Sequence, residues 1–154
     1  MNLAREKVDL GQLLKEAVEL YEIVAEEKDL KVNVTVPDNC EASVDAVRIR
    51  QAFANLLDNA IKYTPPGGEI TVEATANQSL VTITFRDNGI GIPPEEQGKI
   101  WERLYRSDKS RSQRGLGLGL SFVKAIVEAH GGAVNVRSDG RTGSTFVVVL
   151  PRQV

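Results

Sequence analysis

The chain has 154 residues, 42% of them apolar and 26% charged, with a formal net charge of −2. That length fits one domain able to bury about two-thirds of its unfolded surface, and the near-neutral balance gives no reason to expect nucleic acid or an anionic membrane as partner. Cys40 is the only cysteine, which excludes an internal disulfide and a thiolate metal site. Beside the turn Pro37-Asp38-Asn39 it reads as a structural thiol. No apolar run approaches the ~20 residues of a membrane span, and the N-terminus is no signal peptide. The expectation is a soluble, cytoplasmic chain.

No repeat or low-complexity linker divides the sequence, so residues 1–154 read as a single domain. Leu10, Leu13, Leu14, Ala17, Val18, Tyr21 and Val24/Ala25 recur at helical spacing and predict a helix from Leu10 to about Glu27, N-capped by Asp9. Lys31 to Val36 alternates as a strand and stops at Pro37. A second helix is predicted from about Val44 to Tyr63, closed by Pro65-Pro66-Gly67-Gly68. Ile70, Val72 and Ala74, then Val81, Ile83 and Phe85, alternate on either side of Asn77-Gln78-Ser79 and read as a hairpin. A third helix runs from Gly115 to His130, ended by Gly131-Gly132. A last hairpin joins Val134–Val136 to Thr145–Leu150 around Asp139-Gly140. Three helices and about five strands imply an α+β chain, a two-layer α/β sandwich with a mixed sheet.

Chemistry concentrates in four segments. Asn55, Asn59 and Lys62, at i, i+4 and i+7, share one stripe of the second helix, opposite an apolar stripe of Ile49, Phe53, Leu56, Leu57 and Ala60. An amide oxygen suits a hard cation such as Mg²⁺, which shares its ligands with water and substrate phosphates, and Lys62 can neutralise phosphate charge. A merely solvated polar face would have the same pattern. Asp87-Asn88-Gly89-Ile90-Gly91-Ile92 follows a strand. Its carboxylate could accept from the exocyclic amine of adenine, with glycines letting the backbone approach a flat base; an ordinary turn would also use these residues. Gly115-Leu116-Gly117-Leu118-Gly119 has neither Walker nor Rossmann spacing, but it forms a glycine-rich helix start, where free amides suit an anion. The fourth segment is Thr142-Gly143-Ser144-Thr145-Phe146. Between Lys99 and Arg114, six basic residues (Lys99, Arg103, Arg106, Lys109, Arg111, Arg114) stand against Glu102 and Asp108.

In this order the four segments resemble the catalytic, ATP-binding domain of a bacterial two-component sensor histidine kinase, a branch of the gyrase, heat-shock chaperone, histidine kinase and MutL superfamily. The resemblance runs from about Asp9 to Pro151. It implies the Bergerat-type fold: a mainly antiparallel five-stranded sheet covered on one face by three helices. It implies ATP and Mg²⁺ as cofactors, with Asn59 holding the metal, Asp87 reading adenine N6, and Lys62 and Tyr63 contacting phosphate and adenine. Gly89 and Gly91 would let the backbone approach the base, Ile92 and Thr145 are further nucleotide-binding positions, and Gly115, Leu116, Gly117, Leu118 and Gly119 would hold the phosphates. The basic run looks like a mobile lid over the triphosphate. Ile100-Trp101-Glu102-Arg103-Leu104-Tyr105-Arg106 matches the family's aromatic box, with Trp101 and Leu104 in place of two phenylalanines, and Arg106 is assigned to the γ-phosphate.

The related hydrolytic ATPases carry a water-activating glutamate where this chain has Asn55. An amide cannot take that proton, so poor hydrolysis and transfer of the γ-phosphoryl group to a side chain elsewhere are expected. His130 is the only histidine. It lacks the acidic residue, Arg and Pro that follow the family's acceptor, and before Gly131-Gly132 it reads as a helix-end residue that satisfies terminal carbonyls. The acceptor histidine would lie in a dimerisation domain absent here, which makes the chain a piece of a longer, membrane-anchored kinase. The isolated domain would then be monomeric and unable to autophosphorylate, with a response regulator downstream. The alternatives are a gyrase-type ATPase, an anti-sigma-factor type serine kinase, and a nucleotide-binding module without turnover.

Overall fold

The computed structural model describes residues 1–102 and 119–153. In chain order these form β1 (Glu6–Asp9), α1 (Leu10–Glu27), β2 (Lys31–Thr35), β3 (Glu41–Val44), α2 (Ala46–Tyr63), β4 (Glu69–Ala76), β5 (Leu80–Asp87), a 3₁₀ turn (Pro94–Glu96), α3 (Gly119–Ala129), β6 (Ala133–Ser138) and β7 (Ser144–Pro151). Five strands make one sheet in the order β2-β4-β5-β7-β6, and β1 pairs with β3 apart from it. β2 runs parallel to β4, and every other neighbour in the sheet is antiparallel. The parallel pair needs a long connection, which α2 supplies. The expected mixed sheet and three helices are thus present.

Strand alternation decides which sheet face is covered. Ile70, Val72 and Ala74 of β4, Val81, Ile83 and Phe85 of β5, and Phe146, Val148 and Leu150 of β7 are all buried. They meet the apolar stripes of the helices: Leu10, Leu13, Leu14, Ala17 and Val18 of α1, Ile49, Phe53, Leu56, Leu57 and Ala60 of α2, and Val123, Ile126 and Val127 of α3. Phe53 crosses onto Phe85 with ring centroids 5.9 Å apart and planes inclined by 49°, a tilted aromatic contact of the favourable kind.

Helix ends follow local side-chain chemistry. Asp9 caps α1 by accepting from Gln12 N at 3.2 Å. The predicted start of α2 at Val44 is corrected. Val44 pairs with Glu6 as the last residue of β3, and Asp45 caps the helix by accepting from Arg48 N at 3.2 Å. The β1–β3 pair is not foreseen by the sequence, because two four-residue strands are too short for alternation to stand out. At the other end of α2, Thr64 Oγ1 donates to Ala60 O at 2.7 Å, and Lys28 Nζ donates to Ile61 O and Lys62 O at 2.7 and 3.1 Å. α3 closes in a Schellman motif: Gly131 N donates to Glu128 O and Gly132 N to Val127 O.

His130, the residue before that motif, is 1% exposed. Its Nδ1 lies 2.8 Å from Ile126 O, and its Nε2 accepts from Asp45 N at 3.0 Å. Together these require a neutral ring protonated at Nδ1. The helix-end role therefore stands, served by a neutral ring donor rather than a cation. Asp45 carries the link further, accepting from Ala4 N at 3.0 Å, so one buried pair joins the N-terminal segment, the start of α2 and the end of α3.

Burial holds the His130 pKa below its ordinary 6.5. The unfolded chain therefore takes up the proton first as pH falls. The stability contributed is full above the unfolded value and is lost as pH falls from there through the folded pKa, with a slope of at most about 1.4 kcal/mol per pH unit. His130→Gln should flatten the decline of the urea midpoint just below pH 6.5. An equally steep decline in the variant would show that other groups cause it.

Candidate functional site

The polar stripe of α2 comes first because its position follows directly from the core. With Phe53, Leu56, Leu57 and Ala60 facing the sheet, Asn55, Asn59 and Lys62 are left half-buried along the helix's other side. The start of α3 lies against Asn55: a Cβ built on Gly119 would sit 4.0 Å from Asn55 Cβ and Cγ. Lys62 Nζ is 3.1 Å from Asp58 Oδ2, an i,i+4 pair with both side chains partly exposed. Such a pair contributes only ~0.5 kcal/mol and leaves the ammonium able to exchange partners.

The carboxylate of Asp87 is the second component. Asp87 ends β5, opposite Ile70 of β4 and Ser144 of β7, and is 6% exposed. Its Oδ1 accepts from Gly89 N at 2.9 Å and Ser144 N at 3.3 Å, and its Oδ2 accepts from Ser144 Oγ at 2.9 Å. A carboxylate offers about four acceptor positions, and the described residues fill three of them, with a single donor on Oδ2. Burial raises the Asp87 pKa above its ordinary 3.8, against the lowering effect of the Gly89 and Ser144 bonds. Ser144 is not among the site residues expected from sequence. The signal was available in the alternation, since Ser144 shares its sheet face with buried Phe146, whereas Thr145 sits between Arg86 and Arg137 on the other face.

The loop after Asp87 closes back onto α2. A Cβ on Gly89 would fall 2.1 Å from Tyr63 O, so only glycine permits this approach. Ile90 N donates to the same carbonyl at 3.1 Å, and Asn88 Oδ1 accepts from Glu69 N at 2.8 Å. Half-buried Ile92 packs against the core, and Trp101 meets Phe146 edge-on with centroids 5.8 Å apart. The structure thus brings together Asn55 with Gly119, Tyr63 with Gly89, and Asp87 with Ser144. Arg106, Gly115, Leu116, Gly117 and Leu118, with most of the basic run, lie outside the described residues.

A resident cation can be judged from the donor set. Among the described residues no three His, Cys, Asp or Glu side chains form a metal-binding group. The Asn59 amide oxygen is a hard donor, which fits Mg²⁺ only as an ion taking its remaining ligands from phosphate and water. Among the described residues no helix is long and apolar enough to cross a membrane.

Comparison with known proteins matches this geometry. The family of histidine kinase-, DNA gyrase B- and HSP90-like ATPases matches residues 44–154. The sensor-like histidine kinase SenX3 of Mycobacterium tuberculosis is 37% identical over 146 residues, 94% of this chain and 36% of its own length. The solved mycobacterial sensor histidine kinase MprB is 32% identical with a TM-score of 0.83, covering 97% of this chain and 99% of that one. Full-length ShkA, solved in complex with AMPPNP, is 29% identical with a TM-score of 0.89, covering all of this chain and 32% of that one. The chain belongs to the histidine kinase-, DNA gyrase B- and HSP90-like ATPase family, as a catalytic domain of the sensor histidine kinase type. It spans about a third of the length of the curated relatives it matches.

The Asp87 pKa predicts a stability effect separable from binding. Because the folded-state pKa is raised, the stability contribution is full below the unfolded value and is lost as pH rises through the folded pKa. At neutral pH the bare carboxylate is therefore a net cost. The amide that Asp87→Asn introduces keeps an oxygen able to accept from Gly89 and Ser144, so this variant should unfold at the same or a higher temperature than the parent at pH 7. A marked drop in its thermal midpoint would contradict this.

Proposed function

We propose that this chain binds Mg-ATP and serves as the phosphoryl-donor domain of a sensor histidine kinase, delivering the γ-phosphoryl group to a histidine on a separate dimerisation domain. The observation that carries the proposal is Asp87: a buried carboxylate with three acceptor positions filled by the described residues, whose following loop closes onto the end of α2 at Tyr63 O. An adenine amine is the donor that completes that carboxylate. Guanine would place a carbonyl oxygen there, acceptor against acceptor, and leave a buried group unpaired. Tyr63 and Ile92 flank the base, with Gly89 and Gly91 as the backbone against which it lies.

Asn59 would hold Mg²⁺, which when bound neutralises the charge that develops on the transferring phosphoryl group. Lys62 and, beyond the described residues, Arg106 and Gly115 to Leu118 would position the triphosphate, with Gly119 at the start of α3. Phosphoryl transfer asks mainly for such positioning and charge stabilisation. Asn55 cannot activate water as a carboxylate would, which supports transfer to a protein side chain over hydrolysis. His130 is unsuited to receive the phosphoryl group, since it is buried with both ring nitrogens engaged. The acceptor therefore belongs to a partner domain and the next carrier to a response regulator, as the sensor-kinase relatives support. The domain would then work on the cytoplasmic side of its parent.

Calorimetric titration with AMP-PNP tests the proposal. Binding should require Mg²⁺, weaken by at least about tenfold in Asp87→Asn, where an amide donor meets the adenine amine, and lose its metal dependence in Asn59→Ala. Metal-independent binding, or full affinity in Asp87→Asn, would overturn these assignments. In a separate assay, Asn55→Glu should raise ADP release from a near-zero baseline. No rise would remove Asn55 as the reason for poor hydrolysis.

A further inference from the structure

Two chain segments meet beside Asp87: the loop leaving β5, residues 88–93, and the turn from β6 to β7, residues 139–143. They meet without room for side chains. A Cβ on Gly91 would lie 2.7 Å from Arg141 N and 2.8 Å from Gly140 C, and one on Gly143 would lie 2.0 Å from Asp87 O. Their alignment is set by a few direct hydrogen bonds, and these converge on Ser138, the last residue of β6. Its hydroxyl accepts from Ile92 N at 2.8 Å and Gly140 N at 3.1 Å, and donates to Gly143 O at 2.7 Å. A serine hydroxyl has one donor and two acceptor positions, and all three are used within the protein. Gln97 adds a second tie: its Nε2 donates to Ile92 O at 2.9 Å and to Ser138 O at 2.8 Å.

We infer that Ser138, assisted by Gln97, is the positioning residue of the base pocket, setting base discrimination without touching the base. Gly143 immediately precedes Ser144, the Asp87 partner, and Ile92 ends the glycine loop that begins at Asp87. One hydroxyl therefore fixes the distance between the carboxylate's clamp and the backbone platform. This inference rests on the reading of Asp87 as the adenine acceptor. Removing the hydroxyl strands two amides and a carbonyl, which must then find water by moving the two segments apart.

The test uses Ser138→Ala, Ser138→Thr and Gln97→Glu, titrated with Mg-AMP-PNP and, by competition, with Mg-GMP-PNP. Ser138→Ala should weaken AMP-PNP by at least about tenfold while GMP-PNP changes little, so that the preference for adenine narrows. Ser138→Thr, which restores the hydroxyl, should recover it. Gln97→Glu places a carboxylate against two carbonyls and should narrow the preference as well. Proportionate losses for both nucleotides would mean general loosening and overturn the inference, as would unchanged binding in Ser138→Ala. A parent chain that fails to bind AMP-PNP would sink the base-site reading itself. Amide exchange gives a readout independent of nucleotide: the Ile92 and Gly140 amides should exchange faster in Ser138→Ala, and unchanged exchange would refute the tie directly.

Discussion

A carboxylate held below the surface at the end of a central strand must be satisfied by groups that cannot drift, and the architecture around Asp87 follows from that need. Its donors come from the loop that follows it and from the first residue of β7, so β5 and β7 must pair in the register that sets Asp87 opposite Ser144. A one-residue slip would carry Ser144 to the other sheet face and the carboxylate would lose its hydroxyl partner. The same register puts Phe85 opposite Phe146 in the core. The packing that stabilises the sandwich and the geometry that prepares the site are therefore one constraint.

The cost of keeping that group charged is visible in its raised pKa. Core packing offsets it, and this is the usual pattern where a protein retains an unfavourable group for its chemistry. α2 plays the complementary part. Its apolar stripe anchors on Phe85 and the sheet, its polar stripe faces away, and its C-terminal carbonyls are taken by Thr64, Lys28 and the loop amide of Ile90. Tyr63 O is where the two halves of the site join. A shift of α2 would be transmitted to the Asp87 loop through that carbonyl.

Much of this was legible in the sequence, for reasons that differ between elements. Three helices and five sheet strands can be read because each buries one face and so repeats at its own period. β1 and β3 escape such a reading because four residues carry too little pattern, and Val44 is drawn into α2 because a strand's last apolar residue abuts a helix start. Asn59 and Asp87 stand out as residue types with a chemistry. Ser138 and Gln97 do not, because a hydroxyl or amide earns its role only when folding brings distant segments together, here across forty or more residues; for Ser144, alternation with Phe146 marks the inward face but not the partner. Thr145 shows the converse: proximity in sequence suggests it for the site, and alternation sends it to the opposite face.

The central claim is that Asp87 Oδ2 accepts from the amine of an adenine. The most direct measurement is a crystal structure of this domain with AMP-PNP and Mg²⁺. The account predicts the exocyclic nitrogen within about 3 Å of Asp87 Oδ2, with the Ser144 hydroxyl still donating to the same oxygen. A base bound elsewhere, or turned so that Asp87 faces no donor, would contradict it.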